Sequence, residues 1–259
     1  GNIGLINYMA SFARINDMGF LETPYAKVEN GKVTDEIVWF DASEEEKYKI
    51  AHAGMPRDDE GRFSGQVIEA RIKGTPGTCS PTEVDFVEVA PHQFVSVATS
   101  LIPFLQHDDA NRALMGSNMQ RQAGVSVKPS APYVSTVEED KVAADSGYVI
   151  LAEGSGKVLA ADSRHIKVKY AKETKVYQLE KFKRSNQFTC ISQLSLVGPG
   201  DLVKKGDILA DGPSIENGIL ALGQNLVAAF MSWEGANFED AVVLSERVVH
   251  NDLFTSIHI

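Results

Sequence analysis

The residues best equipped for chemistry lie in one run, His107-Asp108-Asp109-Ala110-Asn111-Arg112-Ala113-Leu114-Met115-Gly116-Ser117-Asn118-Met119-Gln120-Arg121-Gln122. Wound as a helix, it puts Arg112, Met115, Met119 and Gln122 on one side, with Asn111, Asn118 and Arg121 flanking them. A helix that displays Arg, Asn and Gln beside methionines is unusual for a surface helix. An ordinary surface helix would favour Lys and Glu. Spacing alone leaves two readings open, a functional polar face or a structural helix whose polar groups bond internally. The adjacent acids Glu239 and Asp240 read, from the residues alone, as a solvated turn.

Several other motifs fail on spacing. Glu153-Gly154-Ser155-Gly156-Lys157 resembles a phosphate loop, but a Walker A needs Gly five residues before the Gly-Lys pair, where Leu151 stands. A hairpin turn is the expectation there. The histidines at 52, 92, 107, 165, 250 and 258 show no paired-ligand spacing, and Cys79 and Cys190 form no CxxC, so neither zinc nor a disulfide framework is expected. Two isolated cysteines fit a reducing, cytoplasmic setting. The longest apolar runs, Val95 to Phe104 and Leu226 to Trp233, fall well short of the roughly 20 residues that span a bilayer.

The net charge of −10 argues against a nucleic-acid partner until it is divided along the chain. Residues 1–110 hold nine basic against eighteen acidic side chains, residues 111–210 fifteen against ten, and residues 211–259 one against seven. The basic excess gathers at Arg164, Lys167, Lys169, Lys172, Lys175, Lys181, Lys183 and Arg184, which could neutralise phosphates. Because Lys167 and Lys169 alternate with Ile166 and Val168, a solvated β-hairpin is the preferred reading.

The elements that must position these residues fall into two textures. A short helix is expected around Ile6 to Asn16, then a β-rich stretch from Thr23 to about Ala90. It includes a hairpin at Asn30-Gly31, a helix from Ser43 to Ala53, a strand from Gln66 to Lys73 and a turn at Gly74 to Gly77. After Pro91 come the Ala110–Gln122 helix, with Asp108 or Asp109 as N-cap, and a series of short strands suggesting a barrel or sandwich. The Gly200-Asp201-Leu202-Val203 to Gly206-Asp207 segment is similar to the hairpin of lipoyl and biotinyl carriers. It lacks their modifiable Lys between Met or Ala neighbours, so scaffold is the expectation and a carrier or interaction module the rival.

With Phe104-Leu105-Gln106 before it, the helical run resembles the segment of bacterial-type RNA polymerase β subunits that lines the RNA–DNA hybrid and the nucleotide site. The resemblance continues through Asn2-Ile3-Gly4-Leu5-Ile6-Asn7, Gly19-Phe20-Leu21-Glu22-Thr23-Pro24-Tyr25, Arg184-Ser185-Asn186-Gln187, Asp211-Gly212-Pro213-Ser214, Leu222-Gly223-Gln224-Asn225, Asn237-Phe238-Glu239-Asp240-Ala241 and Ser245-Glu246-Arg247. These motifs follow family order along essentially the whole chain, and both ends read as cut from a longer polypeptide.

The resemblance implies an α+β piece: the end of a fork region at 1–22, an acidic, β-rich external domain at 23–95, and part of a hybrid-binding domain at 96–259 with double-psi-barrel-related strands. It implies that Arg112 reaches the triphosphate of the incoming nucleotide. Glu239 and Asp240 would lie near a second magnesium ion, held directly or through water. Asn111, Arg121 and Gln122 would face nucleic acid, and Asn2 and Ile6 would border a pocket for rifamycin-type inhibitors. The implied partners are β′ and other polymerase subunits, template DNA, nascent RNA and nucleoside triphosphates, with the principal magnesium site on β′ and no polymerisation by this segment alone. The chain departs from the family at Gly124-Val125, where Val-Pro is usual. It departs again at Ser135-Thr136-Val137-Glu138-Glu139, where Gly-Thr-Gly-Met-Glu is usual, so residues 124–144 are expected to follow their own path.

Overall fold

The computed structural model describes residues 7–259. Asn2 and Ile6 therefore lie outside the described residues. The chain forms two compact units, residues 1–100 and 101–259.

The first unit is built on a seven-stranded sheet. Its strands are β1 (Arg14–Ile15), β2 (Leu21–Glu29), β3 (Lys32–Phe40), β4 (Lys49–Ala51), β5 (Ile68–Ile72), β6 (Thr75–Cys79) and β7 (Phe86–Glu88). They lie in the order β1-β2-β7-β4-β5-β6 with β3 on β2, and only β4 and β7 run parallel. Asn30 and Gly31 both take positive φ, 51° and 78°, as the tight β2–β3 hairpin requires. Strand alternation sends neighbouring residues to opposite faces. Ala26, Ala51 and Val87 enter one core with Val28, Ile68 and Ala70, whereas Tyr25, Ile50 and Phe86 enter another with Phe40. There Phe40 and Phe86 meet edge-on, with ring centroids 4.8 Å apart.

Three local expectations change here. In place of a helix before Asn16, the chain forms a strand and a turn, because the Asn16 side chain accepts the amides of Met18 at 3.0 Å and Phe20 at 2.9 Å. The helix expected over 43–53 shrinks to α1 (Ala42–Glu45), capped by Asp41 and not by Ser43. Beyond it, β4 is claimed by pairing to β5 and β7. The turn expected at Gly74 to Gly77 sits one residue earlier, at Lys73-Gly74, where φ is 52° and 76°. A short helix, α2 (Val97–Ser100), ends the unit.

The second unit is also β-rich, with α3 (Ala110–Arg121), α4 (Glu139–Asp145) and a late turn of helix, α5 (Arg247–His250). Its strands are β8 (Ile150–Leu151), β9 (Gly156–Ala161), β10 (His165–Tyr170), β11 (Thr174–Gln178), β12 (Lys183–Arg184), β13 (Cys190–Ile191), β14 (Leu194–Ser195), β15 (Leu202–Val203), β16 (Ile208–Asp211), β17 (Ile215–Glu216) and β18 (Ile219–Leu220). They form an antiparallel sheet β11-β10-β9-β15, a second of order β14-β16-β8, and the pairs β12–β13 and β17–β18. Val158, Ile166, Val168, Val203 and Leu209 make the main core. Gly154-Ser155-Gly156 is a connection between strands of different sheets, not the hairpin turn expected.

Candidate functional site

Helix α3 begins where Asp109 accepts the amide of Asn111 at 3.0 Å, which satisfies one of the first-turn donors. Its inner side is made of small or slender residues. Ser117 is buried, Ala113, Gly116 and Gln120 are half-buried, and Gly116 faces Ile102. The bulky residues therefore point outward. Arg112 and Gln122 are exposed beside Met115 at 45% and Met119 at 64%, with Asn111, Leu114 and Arg121 on the flank. The Arg112 guanidinium approaches the Met115 sulfur at 3.8 Å, and Arg121 donates to the Asn118 side chain. Burial of the methionines would be the ordinary outcome; here the helix is seated through small residues and offers a polar and thioether surface to solvent.

Glu239 and Asp240 lie elsewhere in the chain, on an exposed turn after β18. Asn237 shapes that turn, accepting the Trp233 amide at 2.9 Å and donating to the Met231 carbonyl at 2.7 Å. Glu239 takes φ of 57°, a left-handed conformation that non-glycine residues adopt sparingly. Among the described residues, neither acid makes an ion pair with Arg112 or Arg121. Nor do three or more His, Cys, Asp or Glu side chains cluster as a metal cage among them. Two adjacent, solvated carboxylates fit a magnesium ion that draws its remaining ligands from water or other groups, and do not fit a closed site.

The divergent stretch is organised by side chains that the spacing did not single out. Thr136 donates its amide to Glu139 at 2.8 Å and its hydroxyl at 3.0 Å, so the buried Glu139 carboxylate is bonded on both oxygens. Thr136 and Glu139 are the two positions where this stretch agrees with the family pattern. Asn225 donates to Ser130 Oγ at 2.9 Å and to the Ala131 carbonyl at 2.7 Å, and Glu216 accepts the Ala131 amide at 2.6 Å. Residues 126–133 are thus tied to residues 216–225. Gln224 and Asn225 of this tether belong to the Leu222-Gly223-Gln224-Asn225 run.

The basic cluster follows the solvated-hairpin reading. Ile166 and Val168 are fully buried, while Lys167 and Lys169 stand on the open face of the sheet. Lys175 pairs with Glu153 and Lys183 with Glu180. In the carrier-like segment, Lys204 and Lys205 connect β15 and β16, which belong to different sheets, and the Lys204 amide is fixed by Asp207 at 2.7 Å. No helix among the described residues is long and apolar enough to cross a membrane.

Residues 25–90 match the RNA polymerase beta subunit external 1 domain, and residues 151–259 match RNA polymerase Rpb2, domain 6. Over its whole length the chain is 52% identical to the DNA-directed RNA polymerase subunit beta of Anaeromyxobacter sp. (strain Fw109-5). It is 53% identical to that of Rickettsia prowazekii (strain Madrid E) and 49% to that of Streptococcus pyogenes serotype M5 (strain Manfredo). It spans 19%, 19% and 22% of those proteins, respectively. The chain belongs to the RNA polymerase β-subunit family and corresponds to about a fifth of the length of these relatives.

Proposed function

We propose that this chain is the part of an RNA polymerase β subunit that forms one wall of the nucleotide and RNA–DNA hybrid site during DNA-templated RNA synthesis. The observation that supports it is the outward arc of α3, where Arg112, Gln122 and Asn111 are exposed in a helix whose small residues face inward. Residues 96–259 are read as part of a hybrid-binding domain with strands related to a double-psi barrel.

Arg112 binds the triphosphate of the incoming nucleotide; its planar, permanently charged fork orients phosphate oxygens and offsets charge that builds in the transition state. Asn111, Arg121 and Gln122 face the nucleic acid. Glu239 and Asp240 stand near the second magnesium ion, acting on it directly or through its water shell. Magnesium supplies charge neutralisation of the phosphates when bound. The principal magnesium site belongs to β′, so the segment works only in an assembly with β′ and the other polymerase subunits, in the cytoplasm, on template DNA, nascent RNA and nucleoside triphosphates.

The test is Arg112→Ala in the reconstituted polymerase. A lost charge-assisted contact of about 1.5–3 kcal/mol corresponds to a fall of roughly ten- to a hundredfold in nucleotide addition at limiting nucleotide. Unchanged kinetics there would remove the assigned role. Glu239→Ala and Asp240→Ala are expected to raise the magnesium concentration needed for half-maximal rate, and an unaltered magnesium profile would remove the metal assignment.

A further inference from the structure

The open face of the β11-β10-β9-β15 sheet carries two registered rows of exposed side chains. One runs Thr174, Lys169, Lys157, Leu202 across the four strands, and the other Val176, Lys167, Ala160 across three. Neither row holds a carboxylate. Among the described residues, Lys157, Lys167 and Lys169 enter no ion pair. Acids in the adjoining loops are engaged elsewhere: Asp162 accepts the Arg164 and His165 amides, Asp201 accepts the Gly198 amide, and Glu153 pairs with Lys175. Two lysines directly opposed without a counter-charge weaken a sheet. Beside them Leu202 is 81% exposed and Val176 52% exposed, so apolar surface flanks the uncompensated charge.

We propose that this sheet face docks a partner protein through a segment whose carboxylates lie between apolar side chains. Alternate residues of an extended segment share one face at a spacing of about 7 Å, so two acids at such positions meet Lys169 and Lys157 while apolar neighbours cover Leu202 and Val176. Each carboxylate relieves the repulsion between the lysines, and each apolar contact removes exposed aliphatic surface from water. A nucleic-acid backbone satisfies the lysines alone. Bases are held by aromatic stacking, and the tyrosines of this sheet, Tyr170 and Tyr177, pack against the core on its other side.

The test uses reconstituted polymerase and a synthetic peptide of two Leu-Ser-Glu-Ser-Glu-Ser-Val repeats. Acetylation of Lys157, Lys167 and Lys169 by an acetyl ester, read by peptide mass spectrometry, reports each lysine separately. The peptide is expected to protect all three saturably, and less so as salt is added. Replacing its Glu by Gln, or its Leu and Val by Ser, is expected to weaken protection roughly three- to tenfold. Leu202→Ser in the polymerase should abolish the advantage of the apolar peptide over its Ser counterpart. Equal protection by the Glu and Gln peptides would overturn the proposal, as would stronger protection by single-stranded oligothymidylate than by the peptide. Lysines that are unreactive in the assembled enzyme before any peptide is added would overturn it too, because the face would then be closed to a docking partner.

Discussion

The buried carboxylate of Asp211 holds the amide of Gly218, Oδ1 to N at 2.9 Å, while its other oxygen takes the neighbouring Asn217 amide at 2.6 Å. One side chain at the end of β16 thereby fixes the turn between β17 and β18. Asp211→Ala orphans both donors, and with each buried loss at about 1–3 kcal/mol the chain is expected to lose roughly 2–4 kcal/mol. Gly218→Ala meets the same region from the other side: φ is 76°, and a Cβ would overlap Ile208 Cδ1. A cost of similar size is expected, about 2–4 kcal/mol from backbone conformation and overlap together. Urea unfolding of both single variants and the double variant checks this. The double is expected to lose less than the sum, because the two act on one turn.

Lys157 and Lys169 face each other directly across β9 and β10, with Leu202 on the far side of Lys157 and Thr174 beyond Lys169. Like charges in opposed positions are unfavourable. Lys157→Glu is therefore expected to stabilise the sheet by about 0.2–1 kcal/mol at low ionic strength. The gain should shrink as salt screens the pair. A melting temperature that falls, or one that rises equally at all salt concentrations, would contradict the cross-strand account.

Two carboxylates are held below their ordinary range. Asp162 accepts the amides of Arg164 and His165, both at 2.7 Å, and Glu83 accepts the Ser80 amide and lies beside Lys49. A lowered folded-state value means that the stabilisation is present above the usual carboxylate range and is lost as pH falls through the folded value. Carboxyl-carbon NMR titration is expected to show Asp162 and Glu83 protonating below the usual carboxylate range. Protonation in the ordinary range would refute the bonding described.

The hydroxyl of Tyr177 lies 2.7 Å from that of Tyr170, and burial, followed by that bond, pushes its ionisation upward. The shift is upward from an unfolded value near 10, so the contribution is complete below about pH 10 and disappears as pH rises toward the folded value. Burial raises Tyr25 as well, so phenolate absorbance should show a component that resists ionisation, and Tyr177→Phe should reduce that component by one tyrosine without abolishing it.

What the sequence made legible was local. Asn30-Gly31 announced its turn through residues that tolerate positive φ, Asp109 its cap through an acceptor ahead of a helix, and Ile166 and Val168 their burial through alternation. The Arg112 face was visible as a composition anomaly, though only the structure shows that Ala113, Gly116 and Ser117 seat the helix and leave the methionines outside. The failures trace to competition. Asn16 bonded the backbone of its own turn, and β4 found partners in β5 and β7 that its helical texture did not predict. The ties from Asn225 to Ser130 and Ala131 cross more than ninety residues, and no local pattern encodes them.

The slender inner side of α3 has a consequence for motion. Methyl-sized contacts bury little apolar area, so the helix adds little anchoring free energy of its own to the fold. Its amides are expected to exchange with solvent deuterium sooner than those of β10, whose Ile166 and Val168 are wholly enclosed. A surface that is loosely moored until something covers it gains rigidity from its occupant, and protection of the α3 amides becomes a direct measure of whether that occupant has arrived.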